Sequence, residues 1–170
     1  MEKTIRVLNA MKTDGIVADY AIAGAIAATF WAEPLTTYDL DVFVVLSPAE
    51  MSKPVLTLNK VYSYLAKKGY KAKAEPVEIE GIPVQFLPVY DALVAEATAG
   101  AVKLKYGHEA ARVVGPEHLL AIMASVGRPK DKSRIAQMLD SVELDRKRLA
   151  DILRRHALLA KWRAAAGTEP

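Results

Sequence analysis

The chain of 170 residues is 52% apolar and 25% charged, which suits one packed core and excludes a disordered segment. It has no cysteine and three histidines, so disulfide frameworks, thiolate nucleophiles and thiolate metal sites are excluded, and any metal must sit on oxygen ligands. The net charge of +3 is uneven: Arg128 to Arg163 holds eleven Lys and Arg against five Asp and Glu. That stretch is either a solvated helical face or a surface for phosphates, nucleic acid or an acidic partner.

The opening Met-Glu-Lys-Thr-Ile has neither the charged nor the apolar stretch of a secretion signal. The longest apolar run, Tyr20 to Ala32, is too short to span a bilayer, and a cytoplasmic location without a membrane is expected. Ile5, Leu8 and Met11 recur at helical spacing and predict a helix over Glu2 to Lys12, ended by Asp14-Gly15. A short strand follows over Tyr20 to Ala23. The alanine-rich stretch Gly24 to Trp31 predicts a buried helix, stopped at Glu33-Pro34 because the residue before proline avoids helical dihedrals. Leu40 to Leu46, dominated by valine and phenylalanine, predicts a buried strand.

Val55 to Lys68 carries Leu58, Val61, Tyr62 and Leu65 on one face and predicts an amphipathic helix stopped by Gly69. Strands are predicted over Lys71 to Glu75, over Val77 to Ile79 across a Glu80-Gly81 turn to Ile82, and over Val84 to Val89. A short helix over Asp91 to Ala97 and a β pair, Val102 to Tyr106 with Ala111 to Val114, come next. From Pro116 onward the pattern is helical, with prolines at the favoured first positions of helices starting at Pro116 and Pro129. The latter runs to Leu139. A further helix spans Asp145 to His156, and a short helical stretch reaches Ala166.

The chemistry is concentrated in two places. Side chains alternate along a strand, so Asp39 and Asp41 point to one side while Leu40 and Val42 face the other. Two carboxylates at the mouth of a buried strand suit Mg²⁺, which is held by one or two carboxylates together with substrate phosphates. Gly24 lies where a strand hands over to a helix, a position at which free N–H groups can donate to a phosphate. The alternative is that Asp39 only terminates a strand and Gly24 only permits close packing. Lys103 and Lys105 share one face of their strand and serve either as phosphate-neutralising groups or as solvated edge lysines. The charged cluster Arg128, Lys130, Asp131, Lys132 and Arg134 sits at a turn between helices, where dipole and pairing effects alone also account for it.

The order of strand, Gly24-containing helix, about a dozen residues and then Thr37-Tyr38-Asp39-Leu40-Asp41 leading an apolar strand resembles the nucleotidyltransferase superfamily. It looks most like that superfamily's small uncharacterised members and its toxin-like branch from abortive-infection systems. The likeness extends to Glu117-His118-Leu119-Leu120-Ala121 and to Gly127-Arg128-Pro129-Lys130-Asp131-Lys132, and so covers Tyr20 to Leu139. It implies an α+β fold, a mixed sheet flanked by helices over residues 1–115, followed by a helical segment over 116–170 packed on that core as one compact unit. It implies Asp39 and Asp41 as catalytic, metal-binding residues for Mg²⁺ or Mn²⁺. Nucleotide contacts would come from Gly24, Ala25, Thr37, Lys103 and Lys105. The activity implied is transfer of a nucleotidyl group from a nucleoside triphosphate to a protein, RNA or small-molecule hydroxyl.

Four departures from the family pattern bear on that activity. Gly24 is followed by Ala25 where a second glycine or a serine is usual, and Leu35 replaces a basic residue before the aspartate motif. Met123 stands where similar sequences often have lysine. A third carboxylate is expected on the strand Val84 to Val89, and the residue best placed for it is Gln85, unless Glu78 or Glu80 is brought alongside Asp41. The alternative function is therefore a catalytically degenerate module that binds a nucleotide or a protein partner, as in toxin–antitoxin pairs.

Overall fold

The structure, a computed structural model, describes residues 1–32, 39–47, 57–72 and 76–170. Its elements in chain order are α1 (Glu2–Thr13), β1 (Asp19–Ala23), α2 (Gly24–Ala28), β2 (Leu40–Val45) and α3 (Asn59–Lys67). Then come β3 (Val77–Ile79), β4 (Ile82–Pro88), α4 (Ala92–Ala99), β5 (Val102–Tyr106) and β6 (Glu109–Val113). Four helices complete the chain: α5 (Pro116–Val126), α6 (Pro129–Ser141), α7 (Arg146–Arg155) and α8 (Leu159–Ala166). The six strands form one mixed sheet in the order β3-β4-β2-β1-β6-β5. The β2–β4 and β1–β6 pairs are parallel, and β1–β2, β3–β4 and β5–β6 are antiparallel.

Alternation along the strands divides the sheet into two faces. Tyr20 and Ile22 look toward α1, whose Asn9 accepts a 2.6 Å hydrogen bond from the Tyr20 hydroxyl. Opposite them, the directly paired Ala21 and Phe43, and Ala23 and Asp41, share the other face, over which α2 packs. The small side chains at Ala21, Ala23, Ala25, Ala27 and Ala28, all buried, let α2 lie close against the sheet. α5 joins α2 and α4 to the last three helices, and the buried Leu120, Ile135, Leu149, Ile152 and Trp162 belong to the same apolar cluster as the strands. No described helix is long and apolar enough to cross a membrane.

The β3–β4 turn follows from its residues: Glu80 and Gly81 both adopt positive φ, 53° and 79°, as a two-residue type I′ hairpin requires. Three expectations differ from the structure. The helix starting at Gly24 ends at Ala28 instead of Trp31, because Thr29, Phe30 and Trp31 donate to carbonyls three residues back, the tighter 3₁₀ geometry that closes a helix. Lys71 and Ala72 are not in a strand, since the Ala72 N–H turns back to the Tyr70 carbonyl; residues 73–75 lie outside the described ones. The helix predicted from Val55 is described from Asn59, with 55 and 56 likewise outside.

One polar cluster ties the helical segment to the sheet-bound α4. Glu96 of α4 accepts from Arg155 Nη2 at 2.5 Å, from His156 Nε2 at 2.7 Å and from His118 Nε2 of α5 at 3.2 Å. A carboxylate only accepts, so both imidazoles present Nε2–H. The Arg155 hydrogen bond foremost, then His156 and His118, hold the Glu96 carboxyl down to about 2. Burial lowers His118, with Glu96 opposing. Both shifts have the same sign in stability. Each favours folding above its ordinary value, 6.5 for His118 and 4.5 for Glu96, and each contribution is lost as the pH falls through the folded value. Glu96→Gln is expected to lower the melting temperature at pH 7, and the gap from the parent should narrow at pH 3, which lies below the ordinary value of 4.5 but above the folded value of about 2. Thermal melts at both pH values check this, and a gap independent of pH would refute the role of the Glu96 charge.

Candidate functional site

The open cleft on the α2 face of the sheet is lined by residues from six elements, the segment before β2 and the α5–α6 turn. Ala23, Gly24 and Ala25 come from the β1–α2 junction, Asp39, Asp41 and Phe43 from β2 and its approach, and Gln85 from β4. Met123 and its neighbours come from α5, and Arg128, Lys130, Asp131 and Arg134 from the α5–α6 turn and α6. Strand alternation sets the first row, since Asp39, Asp41 and Phe43 fall on one side of β2. Antiparallel pairing puts Ala23 opposite Asp41, and parallel pairing puts Gln85 on its other side. The acidic pair is thus bracketed by the glycine-containing junction and by a neutral amide.

Gly24 is required at that junction for two reasons. Its φ is +63°, a left-handed conformation that costs other L residues roughly 1–2 kcal/mol. A Cβ on it would also overlap the Asp41 carboxylate, with Asp41 Cγ only 2.8 Å away. The backbone and the carboxylate therefore share a space that only glycine leaves open. Burial foremost, then the neighbouring Asp39, raises the Asp41 carboxyl above its usual range, while Arg128, Lys130 and Arg134 pull it back down. A charged group held at such a cost is stabilised by added positive charge.

Arg128 is the best-fixed of the three cations. Asp131, 1% exposed, accepts from Arg128 Nε at 2.8 Å, from Nη2 at 3.2 Å and from the Arg128 backbone N–H at 3.2 Å. This closes the N-terminus of α6 and fixes the Arg128 guanidinium through its Nε–Nη2 fork at the cleft wall, leaving the other Nη N–H groups for a ligand. Asp131 is committed to that task. Its carboxyl lines the cleft without joining the Asp39–Asp41 pair, and among the described residues no three His, Asp or Glu converge on a metal position. Two carboxylates with phosphate oxygens and water satisfy one Mg²⁺; they do not supply the ligands of a second.

Of the residues expected at the site, Gly24, Ala25, Asp39 and Asp41 line this one cleft, and Gln85 and Met123 line it too. Thr37 and Leu35 lie outside the described residues. Lys103 and Lys105 are not brought to it. They are exposed on β5, the sheet's far edge, with β6 and β1 between them and β2. β5 ends the sheet as an edge strand, and lysines there face water. The positive charge of the cleft comes instead from Arg128, Lys130 and Arg134, whose signal in the sequence was the density of charge at a helix start. Glu78 and Glu80 do not supply a third carboxylate either. Glu78, on the edge strand β3, pairs with Pro83 of β4, and Glu80 accepts from the Tyr70 hydroxyl at 2.8 Å.

Gly24→Ala is expected to cost about 1–2 kcal/mol of stability from backbone strain and to swing Asp41 off its position. Chemical denaturation measures the first effect. Titration with Mn²⁺ followed by electron paramagnetic resonance measures the second, which should appear as loss of Mn²⁺ binding by a protein that remains folded.

No protein-family model and no curated protein matches the sequence. Among solved structures, the chain is similar to the crystal structure of an antigenic nucleotidyltransferase-like protein from Paracoccidioides brasiliensis. The TM-score is 0.55 at 14% sequence identity, covering 96% of this chain and 93% of that chain. At that identity the likeness speaks for the fold and not for an activity. The six-stranded mixed sheet flanked by helices, with a helical segment after it, is a nucleotidyltransferase-like fold.

Proposed function

We propose that the cleft binds a nucleoside triphosphate with one Mg²⁺ or Mn²⁺ and transfers its nucleotidyl group slowly to an acceptor hydroxyl. The observation that carries this reading is the meeting of Asp39 and Asp41 with Arg128, Lys130 and Arg134 around one opening. Carboxylates facing a set of cations suit a ligand that brings both a divalent cation and phosphates.

Asp39 and Asp41 would hold the cation, which supplies charge neutralisation at the phosphates when bound. Arg128, braced by Asp131, grips the terminal phosphates with Lys130 and Arg134, and the Gly24 and Ala25 backbone faces the same oxygens. The acceptor oxygen attacks the α-phosphorus, the bond to the β-phosphate breaks, and pyrophosphate leaves against the three cations. Gln85, beside Asp41 in the strand register, can accept a hydrogen bond from the acceptor hydroxyl through its amide oxygen but cannot take the proton. The proton goes to water, and the step is slow for want of a positioned base.

That same Gln85 favours a second reading, in which the protein binds the nucleotide without turning it over and acts through a protein partner, as in a toxin–antitoxin pair. Membership of the toxin-like branch of the superfamily, drawn from the motif over Thr37 to Asp41, goes with either reading.

Asp41→Asn is expected to abolish metal-dependent nucleotide binding in calorimetric titrations while leaving the melting temperature unchanged or higher, because the carboxylate repulsion is removed. A strongly destabilised variant, with no Mg²⁺-dependent binding by the parent, would make the aspartates structural. Gln85→Glu adds a base and is expected to raise transfer of radiolabel from a triphosphate to protein or RNA acceptors on the order of 10²-fold. If parent and variant bind nucleotide and neither transfers label, the second reading holds.

A further inference from the structure

The row Asp39, Asp41, Phe43 on β2 runs from the carboxylates toward an aromatic pair that the phosphate site does not use. Phe43 is 4% exposed and forms part of the cleft wall. Beyond it stands Tyr90, 57% exposed, with its ring centroid 6.4 Å from that of Phe43 and the planes at 74°. In this edge-to-face contact more than half of the Tyr90 surface remains in water. A lone exposed aromatic ordinarily calls for no explanation; three features separate this one.

Its backbone is fixed on both sides. The Val89 N–H donates to the Val44 carbonyl at 3.1 Å, carrying the β2–β4 ladder past Pro88, and Asp91 caps α4 by accepting from the Val94 N–H at 2.7 Å. Tyr90 is therefore held between a strand end and a helix cap, and only its side-chain torsions are free. Its ring also lies at the right remove from the phosphate site. Two residues of strand separate Asp41 from Phe43, about 7 Å, and Tyr90 is one ring contact further on, a separation of the order of one nucleotide. Finally, Arg128 lines the same cleft and is close enough for its charge to be felt at both the Asp41 carboxyl and the Tyr90 hydroxyl.

We propose that Tyr90, through its ring contact with the cleft-wall residue Phe43, is the platform on which the base of the bound nucleotide stacks. The inference rests on the reading of the cleft as a nucleotide site and extends it to how the base is held. The combination of a cationic row with an exposed aromatic ring fits a planar, anionic ligand better than a protein surface, and stacking on a ring tolerates any base. The site is then permissive toward base identity, with purines held tighter than pyrimidines because they cover more of the ring.

The test is calorimetric titration of the parent, Tyr90→Ala, Tyr90→Leu and Tyr90→Phe with each of the four common nucleoside triphosphates and with inorganic tripolyphosphate, all with Mg²⁺. The expected result is a loss on the order of tenfold in nucleotide affinity in the Ala and Leu variants, recovery in the Phe variant, and unchanged tripolyphosphate binding in all. The Leu variant keeps an apolar contact on Phe43, which separates loss of stacking from loss of packing. Undiminished nucleotide binding in the Ala and Leu variants, with tripolyphosphate still bound, would overturn the platform and leave the phosphate site standing. Absence of binding of either ligand by the parent would overturn both.

Discussion

The antiparallel pairing of β1 with β2 is the constraint on which the site depends. It sets Ala23 opposite Asp41, so the next residue, Gly24, must turn away with its backbone against the Asp41 carboxylate. A strand bearing a carboxylate and a junction free of side chain thus occupy one position in space. Parallel pairing on the far side of β2 then delivers Gln85 to the same row. A slip of one residue in either ladder would send Asp41 to the opposite face, among the apolar residues packed beneath α1.

Around that fixed row the electrostatics are arranged in layers. The aspartates are acidic neighbours in a partly buried place, and burial raises the Asp41 carboxyl. The cations facing them come from the turn at Gly127, where the αL conformation, φ +69°, ends α5, and from the start of α6. Asp131 is buried beneath Arg128 and pairs with it, so a carboxylate that could have been a metal ligand serves to hold a guanidinium. An exposed arginine samples many rotamers, and bracing by a buried acid reduces the entropy lost when a phosphate is gripped.

The helical segment is attached by two means. Apolar packing of α5 against α2 and α4 makes it continuous with the core, and Glu96 adds a charged anchor that gathers Arg155, His156 and His118. Because α5 also forms one wall of the cleft through Leu119, Ile122 and Met123, whatever fixes α5 on the sheet fixes the width of the cleft. Met123, 5% exposed, fills that wall with an apolar side chain, leaving the positive charge to the α5–α6 turn.

The sequence by itself determined whatever depends on consecutive residues. The alternation of Asp39, Leu40, Asp41 and Val42, the glycine at the β1–α2 handover, the Glu80-Gly81 turn and the proline starts of α5 and α6 follow from backbone geometry within a few positions, and the likeness to nucleotidyltransferases rested on the first two together with the Thr37 to Asp41, Glu117 to Ala121 and Gly127 to Lys132 stretches. Only the tertiary structure decided which distant residues meet. Lys103 and Lys105 alternate just as Asp39 and Asp41 do, yet β5 falls at the edge of the sheet, away from the cleft, because strand order is fixed by packing of the whole chain. Gln85 stands beside Asp41 through a ladder register, and Glu96 meets two histidines that have no partner along the sequence. Such meetings are set by the burial of apolar faces across the molecule, and no local period encodes them.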